Sequence, residues 1–143
     1  MNITIAEIFQ PDQSTERKRP LFLVPVSAGF PSPADDYIEN RLDLNKHLIH
    51  HPAATFFVKV KGDSMIEAGI HSGDILIVDR SLEATDKRVV IAVIDGELTV
   101  KRIRIIEKKI LLLPENQDYI PTEITDTMSF EIWGVVTNVI HAL

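Results

Sequence analysis

VVIAVIDGELTVKRI, residues 89–103, decides the fold class of this chain. Two runs rich in β-branched and aliphatic residues flank the dipeptide Asp95-Gly96. Asp-Gly between such runs is typical of a tight, two-residue hairpin turn. Six consecutive apolar residues precede the turn, at 89–94, and apolar residues recur after it at 98, 100 and 103, so much of this hairpin should be covered. The stretch therefore predicts two antiparallel strands, at 88–95 and 97–107.

The sequence on both sides of this hairpin also predicts β-strands. Two more strands are predicted before it, in TFFVKV (55–60) and DILIVD (74–79). Two are predicted after it, in KKILLLP (108–114) and EIWGVVTNVIHAL (131–143). Several short strands separated by turn signals indicate a mainly β fold, compact, antiparallel and barrel-like.

The first 36 residues look different from this β region. Residues 3–9 predict a strand or one helical turn, and the polar segment 11–20 predicts a mobile linker. Residues 21–26 have strand composition, but Pro25 has no N–H to donate, so such a strand must lie at an edge or stay unpaired. The region 21–36 is therefore expected to be an exposed, flexible arm.

A short helix is predicted at 43–51, with Asp43 as its N-cap and Pro52 as its stop. Four histidines, His47, His50, His51 and His71, are candidate metal ligands. His47 and His51 would share one face of this helix, a spacing known in zinc sites. No glutamate stands beside them in an H-E-x-x-H pattern, so no metal site is expected. His141 is interpreted as a surface residue, and Asp74 as a turn former.

Composition narrows the function classes. The chain of 143 residues carries a net charge of −6, so no strong basic field draws it to nucleic acid. It has no cysteine, which excludes disulfides and thiol catalysis. Neither a signal peptide nor a stretch of about 20 apolar residues is evident, so a soluble, cytoplasmic protein without a membrane segment is expected.

A glycine turn carries the first chemical candidate. Lys61-Gly62-Asp63-Ser64-Met65 directly follows the predicted strand 55–60. Gly62 can adopt positive φ and turn the chain sharply, which would hold Ser64 at the strand end as a nucleophile. The backbone N–H groups of Asp63 and Ser64 could then face a developing oxyanion. Gly-Asp-Ser is also ordinary turn composition, so the motif alone leaves a plain loop open.

Lys101 is the second candidate. Strand alternation puts Thr99, Lys101 and Ile103 on one face of the hairpin. Burial disfavours the ammonium and lowers the pKa of a lysine, and a neutral amine can take the proton of a serine hydroxyl. The alternative is a lysine whose amine reaches solvent, as most strand lysines do.

Three blocks occur together in this order: VKVKGDSM (58–65), AGIHSGDILIVDR (68–80) and the hairpin 89–103. Together they resemble the peptidase core of the LexA/UmuD-type autopeptidases, and residues 131–143 resemble the closing strand of that family. The resemblance covers roughly residues 20–143. Two positions depart from it, since Lys87-Arg88 replaces a frequent Gly-Asp and Trp133 replaces a smaller aromatic residue.

The resemblance implies a chemistry for these positions. Ser64 corresponds to the nucleophile and Lys101 to the general base of a Ser-Lys dyad. Ala28–Gly29 corresponds to the bond that the family cuts in its own chain. Cleavage would remove an arm, 1–28, and leave a peptidase and polymerase-accessory domain, 29–143. No cofactor and no metal are implied.

The length of the arm favours one branch of the family. LexA-type repressors carry a DNA-binding domain before the cut, whereas only 28 residues precede it here. The UmuD branch is therefore expected, without direct sequence-specific DNA binding. That branch implies a homodimer, cleavage stimulated by a RecA filament on single-stranded DNA, and a UmuC-type catalytic subunit of an error-prone translesion polymerase in the SOS response.

Two other functions remain open from the sequence. One is a non-catalytic, dimeric, β-rich module that binds a polymerase. The other is a signal-peptidase-like hydrolase, which also uses serine and lysine, but the absence of a membrane segment argues against it.

Overall fold

The computed structural model describes residues 2–16, 18–22 and 38–143. The chain forms two compact units, one containing the N-terminal residues up to Pro11 together with His51–Leu143, the other Asp12–His50. The described elements are β1 Thr4–Phe9, β2 Lys18–Phe22, β3 Ile38–Asp43, α1 Leu44–Leu48, β4 Thr55–Lys61, β5 Ile75–Asp79, β6 Val89–Ile94, β7 Glu97–Ile106, β8 Lys109–Leu113, β9 Thr122–Glu123 and β10 Phe130–Ile140. Pro52–Ala54 and Ile66–Ala68 form short 3-10 turns.

The larger unit contains one eight-stranded sheet, in the order β1-β4-β5-β10-β6-β7-β8-β9. Every neighbouring pair in it is antiparallel, and the sheet curls into a half-barrel. The predicted hairpin is present, with Val89 paired to Arg102 and Ile94 to Glu97. Both turn residues, Asp95 and Gly96, have positive φ, as a type I′ turn requires. The mainly β, antiparallel fold predicted from the sequence is confirmed.

β10 lies in the middle of this sheet and joins its two halves. On one side Val136 pairs with Val78 of β5, and on the other Ile132 pairs with Ala92 of β6. The half containing β1, β4 and β5 carries the Gly62–Met65 turn, and the half from β6 to β9 carries Lys101. The two candidate residues therefore come from different halves of one sheet.

Buried apolar residues form two clusters, and the hairpin contributes to both. Ile91 and Val100 belong to one cluster, whereas Val90, Ala92 and Ile103 belong to the other. Because strand neighbours point to opposite faces, the hairpin is covered on both sides, as its apolar runs predict.

The smaller unit pairs β2 with β3, Lys18 opposite Asp43. Asp43 caps α1, because its side chain accepts a hydrogen bond of 2.9 Å from the N–H of Asn45. The predicted cap is confirmed, but the helix ends at Leu48, earlier than predicted. The linker prediction is wrong for residues 18–20, which form the start of β2. Among the described residues, no helix combines the length and apolarity needed to cross a bilayer.

Lys87 occupies a backbone conformation that favours glycine, with φ of +72°. Two backbone hydrogen bonds stabilise the turn at Lys87. The Lys87 N–H donates to Ile103 O at 2.8 Å, and the Ile103 N–H donates to Arg88 O at 2.9 Å. A lysine in this region costs about 1 kcal/mol relative to glycine.

We expect Lys87→Gly to raise the free energy of unfolding by up to about 1 kcal/mol, because relief of the left-handed strain exceeds the extra backbone entropy of glycine. Urea unfolding of the two proteins measures the difference. Arg88→Gly is the matched control at the adjacent exposed position, where φ is not positive, and it should destabilise. A loss of stability in both variants would contradict the assignment of strain to Lys87.

Candidate active site

The turn after β4 brings Ser64 into a buried position. Gly62 has φ of +103°, and a Cβ at this position would lie 2.3 Å from the backbone oxygen of Asn2. Glycine is therefore required both by the backbone conformation and by the close approach of the N-terminal segment. Ser64 and Met65, which follow, are both fully buried.

A second loop, 115–119, fixes this turn. The Glu115 N–H donates to Ser64 O at 2.8 Å, and the Asn116 amide donates to Asp63 O at 2.9 Å. The Tyr119 hydroxyl donates to Asp63 Oδ1 at 2.6 Å. This hydrogen bond lowers the pKa of Asp63 and raises the pKa of Tyr119 to about 12. No local sequence signal near residues 115–119 predicts this support.

Lys101 lies in β7 and is only 7% exposed. Burial lowers the pKa of its amine to about 8. The amine donates to Thr99 Oγ1 at 2.8 Å, to Val100 O at 3.1 Å and to Asn2 Oδ1 at 3.0 Å. A substantial fraction of the side chain is therefore the neutral base near pH 8, as the buried-strand interpretation predicts.

The N-terminal segment lies between the serine and the lysine. The Ile3 N–H donates to Ser64 Oγ at 3.0 Å and also to the side-chain oxygen of its neighbour Asn2 at 2.9 Å. The same Asn2 oxygen accepts from Lys101. Three contacts of about 3 Å thus connect the hydroxyl to the amine, and within the described part of the chain no hydrogen bond joins them directly.

Two interactions hold the segment in this position. The side chain of Ile3 is 1% exposed and packs in the same apolar cluster as Met65. β1, which follows, pairs with β4, Thr4 opposite Lys61 and Phe9 opposite Phe57. The sequence predicted a strand here as one of two options, but it did not predict that Asn2 and Ile3 would contact the candidate pair.

An open cleft adjoins Lys101. It has a volume of about 450 Å³. Its walls are the N-terminal segment Asn2–Thr4, the tip of the β6–β7 hairpin, and Leu112 and Thr122 from β8 and β9.

The predicted cleavage bond, Ala28–Gly29, lies outside the described residues. The candidate oxyanion donors lie in the turn, and within residues 2–16, 18–22 and 38–143 the Ser64 N–H has no hydrogen-bond acceptor.

The predicted histidine pair does not share a helix, since α1 ends at Leu48 and His51 instead contacts Asp79 at 2.6 Å.

One cluster was missed by the sequence analysis. His71 and Asp74 precede β5, and His141 follows β10. The pairing of these two strands brings the three side chains together, so His141 is not an isolated surface residue and Asp74 does more than shape a turn.

Comparison with known proteins gives consistent matches. The family model described as Peptidase S24-like matches residues 20–137. Protein SamA of Salmonella typhimurium is 48% identical over 141 residues, which cover 99% of this chain and 96% of SamA. Protein MucA of Escherichia coli is 46% identical over 83% of this chain and 82% of MucA. The LexA repressor of Stenotrophomonas maltophilia is 40% identical over 77% of this chain, but only 52% of the repressor is covered. The family match includes both the turn with Ser64 and the strand with Lys101.

Proposed function

Because this chain belongs to the Peptidase S24-like family, among its UmuD-like members, we propose that it is a serine peptidase that cuts its own Ala28–Gly29 bond. Ser64 is the nucleophile and Lys101 the general base. The observation that carries the proposal is the buried amine of Lys101, with its pKa lowered to about 8, connected to Ser64 Oγ through Asn2 and Ile3.

The proposed reaction proceeds by acyl transfer. Neutral Lys101 takes the hydroxyl proton of Ser64, and Oγ attacks the carbonyl carbon of Ala28. The resulting oxyanion accepts hydrogen bonds from the backbone N–H groups of Ser64 and Asp63. The C–N bond then breaks, and the amine of Gly29 leaves with the proton held by Lys101. Water hydrolyses the acyl-enzyme, which releases residues 1–28 with a free carboxylate on Ala28, regenerates the Ser64 hydroxyl and leaves 29–143 as the shortened product.

Small residues at the bond suit this site. Ala28 requires only a shallow pocket, and Gly29 lets the substrate backbone approach the enzyme backbone closely. A substrate on the same chain also has a high effective concentration, so that even a modest catalyst would cut it. Such an enzyme needs a latent state.

We propose that the N-terminal segment, residues 2–9, supplies that latency. Asn2 and Ile3 use the hydroxyl and the amine as hydrogen-bond partners, and the Ala28–Gly29 segment cannot reach them until these contacts break. Activation is then a population shift from an occupied to an open cleft. A RecA filament on single-stranded DNA would act by stabilising the open form.

The shortened product would serve as a homodimeric accessory subunit of an error-prone translesion polymerase, bound to a UmuC-type catalytic subunit. The similarity to SamA and MucA over most of the chain supports this role. Sequence-specific DNA binding forms no part of it. The non-catalytic module predicted as an alternative would share the partner but would not cut itself.

The dependence of cleavage on pH tests the proposal. The base is neutral only above its folded pKa of about 8. The rate of cleavage without activator should therefore rise about tenfold per pH unit at lower pH and level off above about pH 9. Intact-mass spectrometry of the purified chain, incubated at a series of pH values, should show a loss of about 3 kDa.

A rate that stays flat between about pH 6 and pH 10 would contradict Lys101 as the base. A chain that stays intact over this range, both with and without RecA, single-stranded DNA and nucleotide, would favour the non-catalytic module.

A further inference from the structure

We propose that His71, Asp74 and His141 form a binding site for a divalent transition metal, with Zn²⁺ as the best match. None of these residues takes part in the proposed cleavage. The site lies in the larger unit, where the turn before β5 meets the residue that follows β10.

The donor atoms of the three side chains already lie close together, all within 4.8 Å of one another. His141 Nδ1 is 2.6 Å from Asp74 Oδ1, and His71 Nδ1 is 3.8 Å from Asp74 Oδ2. The two imidazole rings face each other, with centroids 4.4 Å apart and planes inclined by 31°. A carboxylate flanked by two imidazoles is a donor set that zinc accepts.

One of these donors lacks a partner. His71 Nδ1 is buried from solvent and, among the described residues, makes no hydrogen bond. A buried polar atom without a partner is rare, and it needs an explanation such as an ion. A metal between this nitrogen and Asp74 would give it one.

The three donor side chains differ in how deeply they are buried. Asp74 is 3% exposed and is held in place, because its Oδ2 accepts a hydrogen bond of 2.7 Å from the backbone N–H of His71. The side chains of His71 and His141 are 43% and 40% exposed and can adjust. Zinc holds nitrogen and oxygen donors at about 2.0–2.2 Å, which puts neighbouring donors of a tetrahedral site roughly 3.3 Å apart. His71 Nδ1 would therefore move closer to the carboxylate, and His141 Nδ1 would move slightly away from it to admit the ion.

The chemistry of the donors selects the metal class. Imidazole nitrogen suits zinc, nickel and copper, whereas calcium and magnesium prefer oxygen donors alone. Three protein ligands leave a coordination position for water. Binding requires neutral imidazoles, so protons compete with the metal for these donors.

Metal binding would have a structural consequence. Ile140 pairs with Ile75 at the ends of β10 and β5, next to His141 and Asp74. An ion held by both sides would clamp the end of β10 to the turn before β5. Because the unfolded chain does not hold the three donors together, binding should stabilise the fold.

Titration of the full-length Ser64→Ala protein with ZnCl₂ in a calorimeter tests the site, since this variant should not cut itself. We expect one ion per chain and a melting temperature that rises with zinc. His71→Ala and His141→Ala should each weaken binding at least tenfold. Asp74→Asn removes the carboxylate charge but keeps an oxygen acceptor for the His71 N–H, so it should lose zinc while remaining folded.

His51→Ala is the matched control. His51 also contacts a buried carboxylate at 2.6 Å, that of Asp79, but no second histidine joins it in the described clusters. Its removal should leave zinc affinity unchanged. Absence of zinc binding, affinity unaffected by the His71 and His141 variants, or affinity lost with His51→Ala would each overturn the proposal.

Discussion

Ser64→Ala should abolish self-cleavage, with the rate falling roughly 10³-fold or more, because no other described atom occupies the nucleophile position in the turn. Lys101→Ala should lose a similar factor, since a serine hydroxyl is a weak nucleophile without an adjacent base. Neither change should prevent folding. Ser64→Ala removes one hydrogen-bond acceptor, worth about 1 kcal/mol, while the Ile3 N–H keeps Asn2 Oδ1.

Gel electrophoresis and intact mass after incubation at about pH 9, well above the lowered pKa of Lys101, measure the effect. Ser129→Ala and Lys109→Ala are the matched controls, because both residues are exposed in the same unit and neither pairs with the N-terminal strand β1. Both controls should be cut at the normal rate. Cleavage at Ala28–Gly29 in either Ser64→Ala or Lys101→Ala would refute the assignment of that residue.

Ile3→Ala should accelerate cleavage without activator by about tenfold or more. Truncation of a buried isoleucine costs about 2–5 kcal/mol, and each 1.4 kcal/mol taken from docking of the N-terminal segment raises the open population tenfold. The loss of stability should be confined mainly to the N-terminal segment, because β1 is an edge strand that pairs only with β4 in the described sheet. The cleavage rate at a fixed alkaline pH is the measurement, with amide hydrogen exchange of residues 4–9 reporting the opening.

Ile8→Ala is the control on the same strand, since Ile8 is 42% exposed and contributes little to docking. It should change the rate only slightly. If Ile3→Ala exchanges faster at residues 4–9 but is cut no faster than the original chain, the segment does not provide the latency. The proposed peptidase would survive that outcome, because the Ser64 and Lys101 variants test it separately.

The β fold could be predicted from the sequence because its signals are local. Asp95-Gly96 specifies its own turn, and the aliphatic runs beside it specify strands that are buried on both faces. Gly62 is expected to allow a sharp turn after a strand because glycine tolerates positive φ, and the structure has it at +103°. The length of α1 was overestimated, since only Asp43 at its start gave a clear capping signal.

The contacts of the N-terminal segment with the candidate site could not be predicted in this way. Ile3 meets Ser64, and Asn2 meets Lys101, across long separations in sequence, and nothing near residue 2 indicates either partner. The His71–Asp74–His141 cluster depends likewise on the pairing of β10 with β5. Such contacts follow from strand order, which short motifs do not encode.

Strand order also has a consequence during synthesis on the ribosome. The serine half and the lysine half of the sheet are joined by β10, which is translated after every other described strand. A growing chain therefore cannot assemble both reacting groups until that strand has emerged. In the proposed mechanism, the nascent polypeptide should thereby be protected from premature self-cutting, and a chain interrupted before Phe130 should lack the strand that joins the two halves of the site.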